Sequence, residues 1–361
     1  MIPDPDAFAS LLCDWCLDVH ERQYVLVTTT PLAAPLLRAV NRALITRGAW
    51  PPRLRIGMPG LAEDFYRFAS EDLLENFPHQ DLAEMEQIDS YLSIDAPENT
   101  RALAGVDPAA IARAARARRP IHEVRMTKRW CGTLWPTPAL AQQAGMSQDD
   151  FAAFVNRALF LDRPDPSAAW RELSERQQRL VERLSSANEI RIEAEGTDLR
   201  LRVDGRRWMN SDGRRNMPSG EVFTGPLEDS AEGTIRFTVP SSPRGVLVDG
   251  VELTFESGQV TRATADRGQD YLDAALATDP GARYLGELGI GTNAGIDRPT
   301  GSVLLDEKMA GTVHLAVGRS YPETGGRNDS ALHWDLICDL RDGGRLSADG
   351  EPIELQSRNE P

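Results

Sequence analysis

Glu287 is the only charge in the apolar, glycine-lined run Tyr284-Leu285-Gly286-Glu287-Leu288-Gly289-Ile290-Gly291. A carboxylate in such a frame has to be paired, hydrogen-bonded or coordinated, because an uncompensated buried charge is costly. Two histidine segments follow. In Gly311-Thr312-Val313-His314-Leu315-Ala316-Val317, a strand reading puts Val313, Leu315 and Val317 on one face and His314 on the other. In Ser330-Ala331-Leu332-His333-Trp334-Asp335-Leu336, His333 and Asp335 share a face and Trp334 opposes them. A His and an Asp two apart on a strand can grip one ion, or the Asp can bridge two. Glu221 follows a loop built of the turn formers Asn216, Pro218 and Gly220 and enters a β-branched run. Glu221, Glu287, His314, His333 and Asp335 together form a hard-to-borderline N/O donor set suited to two divalent ions such as Zn, Co or Mn. The set holds no thiolate or thioether, which argues against a soft metal. Taken singly, each histidine also reads as a satisfied core residue and Glu221 as an exposed loop residue. A metal site requires that these separate segments converge.

Other motifs are weaker. His122-Glu123 opens a HExxH pattern, but position 126 is methionine, so the second zinc ligand one helical turn on is missing. Cys13-Asp14-Trp15-Cys16 is a lone CxxC in an apolar, helical-looking segment and reads as buried thiols. Gly289-Ile290-Gly291 is a fragment of a dinucleotide fingerprint without its third glycine. There is no Walker loop and no GxSxG elbow.

The elements that must position the donors fall into two textures. The first half alternates: a strand at Tyr24–Val27, a helix from Pro31 to Thr46, a strand from Arg53 to Met58, and a further strand from Ile88 to Ile94. This β-α-β punctuation predicts a parallel sheet. Asp107-Pro108 caps a helix running to Arg118. Ser147 caps one reaching Phe160, and a long polar amphipathic helix runs from Ser167 to Ser186. From Asn188 the alternation of Ile190, Ile192 and Ala194, then Leu199, Leu201 and Val203, predicts a hairpin turning at 195–198. Short strands and Gly/Pro-rich loops dominate to Leu340, with one helix near Tyr271–Ala277. The expected fold is α/β (α+β). An N-terminal α/β domain with a parallel sheet spans residues 1–186, and a C-terminal mixed β-rich α+β metal-binding domain spans residues 187–361.

Composition bounds the function. The chain has 361 residues, with 55 Asp+Glu against 40 Lys+Arg, a formal charge of −15. An acidic surface repels phosphate backbones and anionic membranes, so neither nucleic acid nor a membrane is an expected partner. No apolar stretch approaches the length that spans a bilayer. The first residues, MIPDPDAFASLLCDWC, lack a basic segment followed by an apolar one. Four cysteines are too sparse for a disulfide framework, which predicts reduced thiols and a cytoplasmic location.

The stretches RRWMNSDGRRNMPSGEVFTGPLEDSAEGTIRF, YLGELGIGTN, LLDEKMAGTVHLAVGRSYPETGG and SALHWDLICDLR resemble the aminopeptidase T / aminopeptidase S / PepS metallopeptidases. They cover most of residues 186–345. The N-terminal half is similar more loosely, mainly through WPTPALAQQAGMSQDDFAAFVNRALFLD. The resemblance implies metal ligands in the SGEVF, LGE, GTxH and HWD segments, which here are Glu221, Glu287, His314, His333 and Asp335. It places the family's site tyrosine on Tyr321. It implies two metal ions, cobalt or zinc among them, in an enclosed cavity that favours short peptides with a free N-terminus. It also implies a two-domain protomer and a homodimer.

The reaction so implied is aminopeptidase hydrolysis by a metal-activated water. Tyr321 would donate to the developing oxyanion. Glu307, in Asp306-Glu307-Lys308, is the expected proton shuttle, with a plain salt bridge to a neighbour such as Lys308 or an arginine as its bland reading. Two alternatives stay open. One is a single Fe(II) held by one glutamate, the two histidines and Asp335 in a ring-cleaving dioxygenase on a related scaffold. The other is a non-catalytic metal-binding protein.

Overall fold

The structure is a computed structural model, described here for residues 2–355. The chain divides into two compact units, Met1–Ser167 with Gly213–Pro218, and Ala168–Asp212 with Ser219–Pro361. Sequence texture puts the boundary at residue 186, after the long helix. In the structure that helix, Pro166–Leu184, goes almost wholly with the second unit, because its Val181 and Leu184 are buried in that unit's core.

The first unit carries strands β1 (Val25–Thr29), β2 (Arg53–Ile56), β3 (Ser90–Asp95) and β4 (Arg129–Leu134). The β1–β2, β1–β3 and β3–β4 pairs are all parallel. Helix Ala34–Thr46 crosses from β1 to β2 and buries Leu36, Ala39, Val40, Ala43 and Leu44, the apolar stripe visible in its sequence. The predicted caps are present. Asp107 Oδ1 accepts from the Ala109 N–H at 2.9 Å, and Ser147 Oγ accepts from the Asp150 N–H at 3.1 Å. The sequence reading misses β4, because Arg-Trp-Cys-Gly-Thr-Leu neither alternates cleanly nor runs apolar.

The second unit begins with the predicted hairpin, β5 (Glu189–Ala194) and β6 (Thr197–Arg202), which turns at Gly196. After β7 (Met209–Ser211), residues Gly213–Pro218 join the first unit, where β8 (Asn216–Met217) pairs parallel with β4. The first unit's sheet therefore has the order β2-β1-β3-β4-β8. The remaining strands are β9 (Glu221–Thr224), β10 (Glu232–Arg236), β11 (Glu252–Glu256), β12 (Gln259–Thr264), β13 (Leu285–Gly291), β14 (Thr312–Gly318), β15 (His333–Asp339), β16 (Arg345–Ala348) and β17 (Glu351–Ile353).

They form two sheets, a seven-stranded one in the order β12-β11-β10-β6-β5-β16-β17 and a five-stranded one in the order β15-β14-β13-β9-β7. One apolar core lies between them. Ile190, Leu199, Leu253 and Phe255 from the first sheet meet Leu288, Ile290, Val313, Leu315, Val317 and Leu336 from the second. Burying one face of each antiparallel sheet against the other is the dominant stabilising contact of this unit. It also decides which side chains of the five-stranded sheet look away from the core. Among the described residues no helix is long and apolar enough to cross a membrane.

Candidate metal centre

The five-stranded sheet converts the strand period of two into a site. Leu288 and Ile290 of β13, Val313, Leu315 and Val317 of β14, and Trp334, Leu336 and Cys338 of β15 all belong to the core. Their neighbours in the chain therefore share the opposite face, and the register aligns them. Ala316 pairs with both Glu287 and Asp335, Gly289 with His314, Gly318 with His333, and Gly291 with Glu221. An irregularity between Leu285 and Glu287 re-aims β13 at its glutamate. Glu221 is set by its own approach. Gly220 has φ +118, a conformation open to glycine, and a Cβ there would lie 2.7 Å from Cβ of Asn293.

The five predicted ligands converge. Glu221, Glu287 and His314 form one group whose donor atoms all lie within 4.8 Å of one another, and Glu287, His333 and Asp335 form another. His314 Nε2 is 3.4 Å from Glu221 Oε2 and 3.7 Å from Glu287 Oε1. His333 Nε2 is 3.5 Å from Glu287 Oε2 and 3.4 Å from Asp335 Oδ2. Glu287 is thus common to both groups and offers a different oxygen to each.

The donors fit divalent cations on three further counts. His333 Nδ1 lies 2.8 Å from the Arg319 carbonyl oxygen. A carbonyl only accepts, so Nδ1 carries a hydrogen, and in the neutral imidazole Nε2 is the lone-pair nitrogen, facing the carboxylates. Asp335 Oδ1 and His314 Nδ1 are buried without a hydrogen-bond partner. Finally, Glu307 forms a third group with His314 and Asp335, so four carboxylates cluster here, two of which, Glu221 and Glu307, pair with the Lys308 ammonium. With both imidazoles neutral the cluster carries excess negative charge in a dry site, which added cations would offset; without them the imidazoles take up protons instead.

The electrostatics record the same crowding. Burial, with the charges of Asp335 and Glu221, pushes the Glu287 carboxyl up despite its bond to His314. Burial disfavours the charged form of His314, but the hydrogen bond it donates to Glu287 and the charge of Glu221 outweigh it and raise its pKa to about 9. Burial is likewise outweighed at His333, where Asp335 raises the pKa to about 10. In return His333 holds Asp335 low against the effect of burial. Burial raises Glu307 to about 8 although Lys308 works the other way.

Tyr321 stands beside the group with its ring edge-on to His333 at 5.3 Å and to Phe223 at 5.5 Å. Burial and the surrounding carboxylates push its phenol up, so it stays protonated at neutral pH. Its loop is clamped by Arg206, whose buried guanidinium donates to the Gly325 carbonyl and, at 2.6 Å, to Glu228.

One contributor, Gln177, escaped the sequence reading, and Lys308 entered it only as a salt-bridge partner for Glu307. Lys308 is fully buried, pairs with Glu307, and lies 3.3 Å from Glu221 Oε1. Its signal was three charges in the apolar frame Leu304-Leu305-Asp306-Glu307-Lys308-Met309-Ala310. Gln177, on the long helix, donates from Nε2 to the Glu221 carbonyl at 2.6 Å and to the Ser211 carbonyl at 3.1 Å, tying β7 and β9 together. A glutamine in a polar amphipathic helix gives no such signal. Of the set-aside motifs, Gly289-Ile290-Gly291 lies on β13, where Gly289 pairs with His314 and Gly291 with Glu221. His122 is exposed on helix Arg119–Thr127, and Cys13 and Cys16 are buried free thiols, with burial raising Cys13 to about 12.

The chain is 31% identical to aminopeptidase 2 of Geobacillus stearothermophilus, over 99% of this chain and 95% of the relative. The wild-type AmpT structure from Thermus thermophilus superposes with a TM-score of 0.85 at 25% identity, covering 98% of each chain. A 2,5-dihydroxypyridine dioxygenase from Pseudomonas putida KT2440 shares the fold at a TM-score of 0.56 and 17% identity, covering 97% of this chain and 95% of that one. The profile of the thermophilic metalloprotease (M29) family matches residues 4–354. The chain belongs to the thermophilic metalloprotease (M29) family.

Proposed function

We propose that this chain is a metal-dependent aminopeptidase that removes N-terminal residues from short peptides at a two-metal centre. The observation that carries the reading is Glu287, whose two oxygens face two separate three-donor groups. Glu221, Glu287 and His314 would hold one ion, and Glu287, His333 and Asp335 the other. Zinc, cobalt and manganese suit these donors. Bound there, the pair supplies Lewis acidity, lowering the pKa of a water toward neutrality and polarising the scissile carbonyl.

The chain's own side chains supply the rest. Glu307 is held near the donor atoms with its pKa raised into the neutral range, so it can take a proton and return one to the leaving amine. Tyr321 keeps its phenolic proton and can donate it as a hydrogen bond to the oxyanion. The excess of carboxylates favours a substrate with a free, positively charged N-terminus, which makes the cleavage exo-acting. A homodimer and a cytoplasmic location complete the reading, the latter supported by four buried free thiols.

The ring-cleaving alternative draws only on shared fold, and a single iron would leave one of the two glutamates without a role. The test is an assay of aminoacyl anilides and dipeptides with the protein as purified, after EDTA, and after adding back Co, Zn, Mn or Fe(II). Cleavage lost with EDTA and restored by Co or Zn, with N-acetylated substrates resistant, is the expected result. Oxygen consumption with Fe(II) and a dihydroxylated aromatic, without peptide cleavage, would overturn it.

A further inference from the structure

Lys308 has no access to solvent, and its ammonium faces two carboxylates, Glu307 and Glu221. Nζ is 3.3 Å from Oε1 of Glu221, while Oε2 of the same residue is 3.4 Å from His314 Nε2. Glu221 therefore serves a fixed cation with one oxygen and a candidate metal position with the other. Glu287 is placed differently, with both oxygens facing imidazoles. Among the described residues no lysine or arginine lies within ion-pair distance of Glu287 or Asp335.

Lys308 is also held in place. Its N–H donates to the Leu305 carbonyl and its own carbonyl accepts from the Asn293 N–H at 3.0 Å. Two residues earlier, Asp306 accepts from the N–H groups of Thr300 and Gly301 at 2.7 and 2.8 Å, which pins the loop leading to it. The main chain at Lys308 is thus fixed, and its side chain is fully buried.

We propose that Lys308 is a positioning residue that makes the two cation positions unequal, so that the position at Glu221, Glu287 and His314 fills second and binds more weakly than the one at Glu287, His333 and Asp335. This rests on the two-metal reading of the centre. The reason is electrostatic. A divalent ion and an ammonium that share one carboxylate repel each other, and a dry site screens that repulsion poorly. An oxygen already engaged by Lys308 also lends less charge to a metal. The other position shares no carboxylate with Lys308, whose charge reaches Asp335 only through space, and the Arg319 carbonyl already orients its His333. At limiting metal the protein would therefore hold a single ion on the His333 side.

The experiment is a titration of metal-free protein with Co(II), followed by d–d absorption and by calorimetry. The wild type should take up cobalt in two steps whose affinities differ at least about tenfold, a gap of about 1.4 kcal/mol. Lys308→Met should tighten the weaker step by at least about tenfold and leave the stronger one in place. Lys308→Arg should keep both steps as in the wild type. Asp335→Asn should abolish the stronger step, which assigns it. Two indistinguishable steps in the wild type, or a weaker step unmoved in Lys308→Met, overturn the proposal while leaving the two-metal reading intact. Absence of any cobalt uptake overturns both. Should Lys308→Met fail to fold, the wild-type and Asp335→Asn isotherms still decide.

Discussion

Gly289 and His314 face each other directly on neighbouring strands, and the imidazole lies where a side chain on Gly289 would be. A Cβ there would sit 2.0 Å from Cε1 of His314 and 2.1 Å from Nε2. The glycine is thus the floor on which the His314 imidazole rests. Gly289→Ala should push His314 off its line to Glu221 and Glu287. Overpacking of this kind costs about 1–3 kcal/mol of stability. A ligand displaced by about 1 Å should lower kcat/KM by about a hundredfold. Thermal unfolding and metal content after dialysis check the two effects; unchanged metal content would show that His314 is not a ligand.

Glu287 is shared between the two donor groups, whereas Asp335 serves only one of them with His333. Glu287→Gln should therefore depress uptake of both ions, and Asp335→Asn should depress one. Elemental analysis of the dialysed variants checks this. Equal losses in the two would contradict the shared role of Glu287.

Metal uptake should be strongly pH-dependent. In the metal-free protein His314 and His333 titrate at about 9 and about 10, so both are protonated at neutral pH. A metal needs the neutral imidazole, so binding at pH 7 releases about two protons. Apparent affinity should rise with pH through neutrality and level off above about pH 10, once both histidines are neutral unaided. Calorimetry in buffers of different ionisation heat counts the protons. An affinity that does not change between pH 6 and 8 would exclude both histidines as ligands.

Glu307→Gln and Tyr321→Phe separate chemistry from metal binding. Losing a general acid–base should lower kcat by about 10²–10⁴. Losing an oxyanion donor should lower it by about 10²–10³. Metal content should hold in both, since neither residue belongs to the two shared-glutamate groups. Tyr321 is 40% exposed, so its phenylalanine variant should also keep its thermal stability. Near-normal turnover by Glu307→Gln would return that residue to the role of a plain partner for Lys308.

Much of this was legible in the chain because it is local. The strand period alone separated His314 from Val313 and Leu315, and His333 and Asp335 from Trp334. Glu287 declared itself as one charge in an apolar, glycine-lined run. Ser147 and Asp107 capped the helices that their side chains predicted. Other features left no local trace. β8 is two residues long inside a loop of turn formers, and its pairing partner β4 lies far back in the chain. Gln177 reaches Glu221 from a helix whose sequence shows only a polar, amphipathic pattern.

The residue types and their faces, and hence the kind of chemistry, were determined by the sequence itself, because alternation in a strand follows from backbone geometry whatever the strand pairs with. Tertiary structure decided which faces meet. Pairing of β14 with β13 and β15, and of β13 with β9, brought Glu221, Glu287, His314, His333 and Asp335 within reach of one another across more than a hundred residues of chain. It split the oxygens of Glu287 between two imidazoles and set Lys308 against Glu221. Those relationships depend on strand register and on a shared core, and a sum of local preferences contains neither.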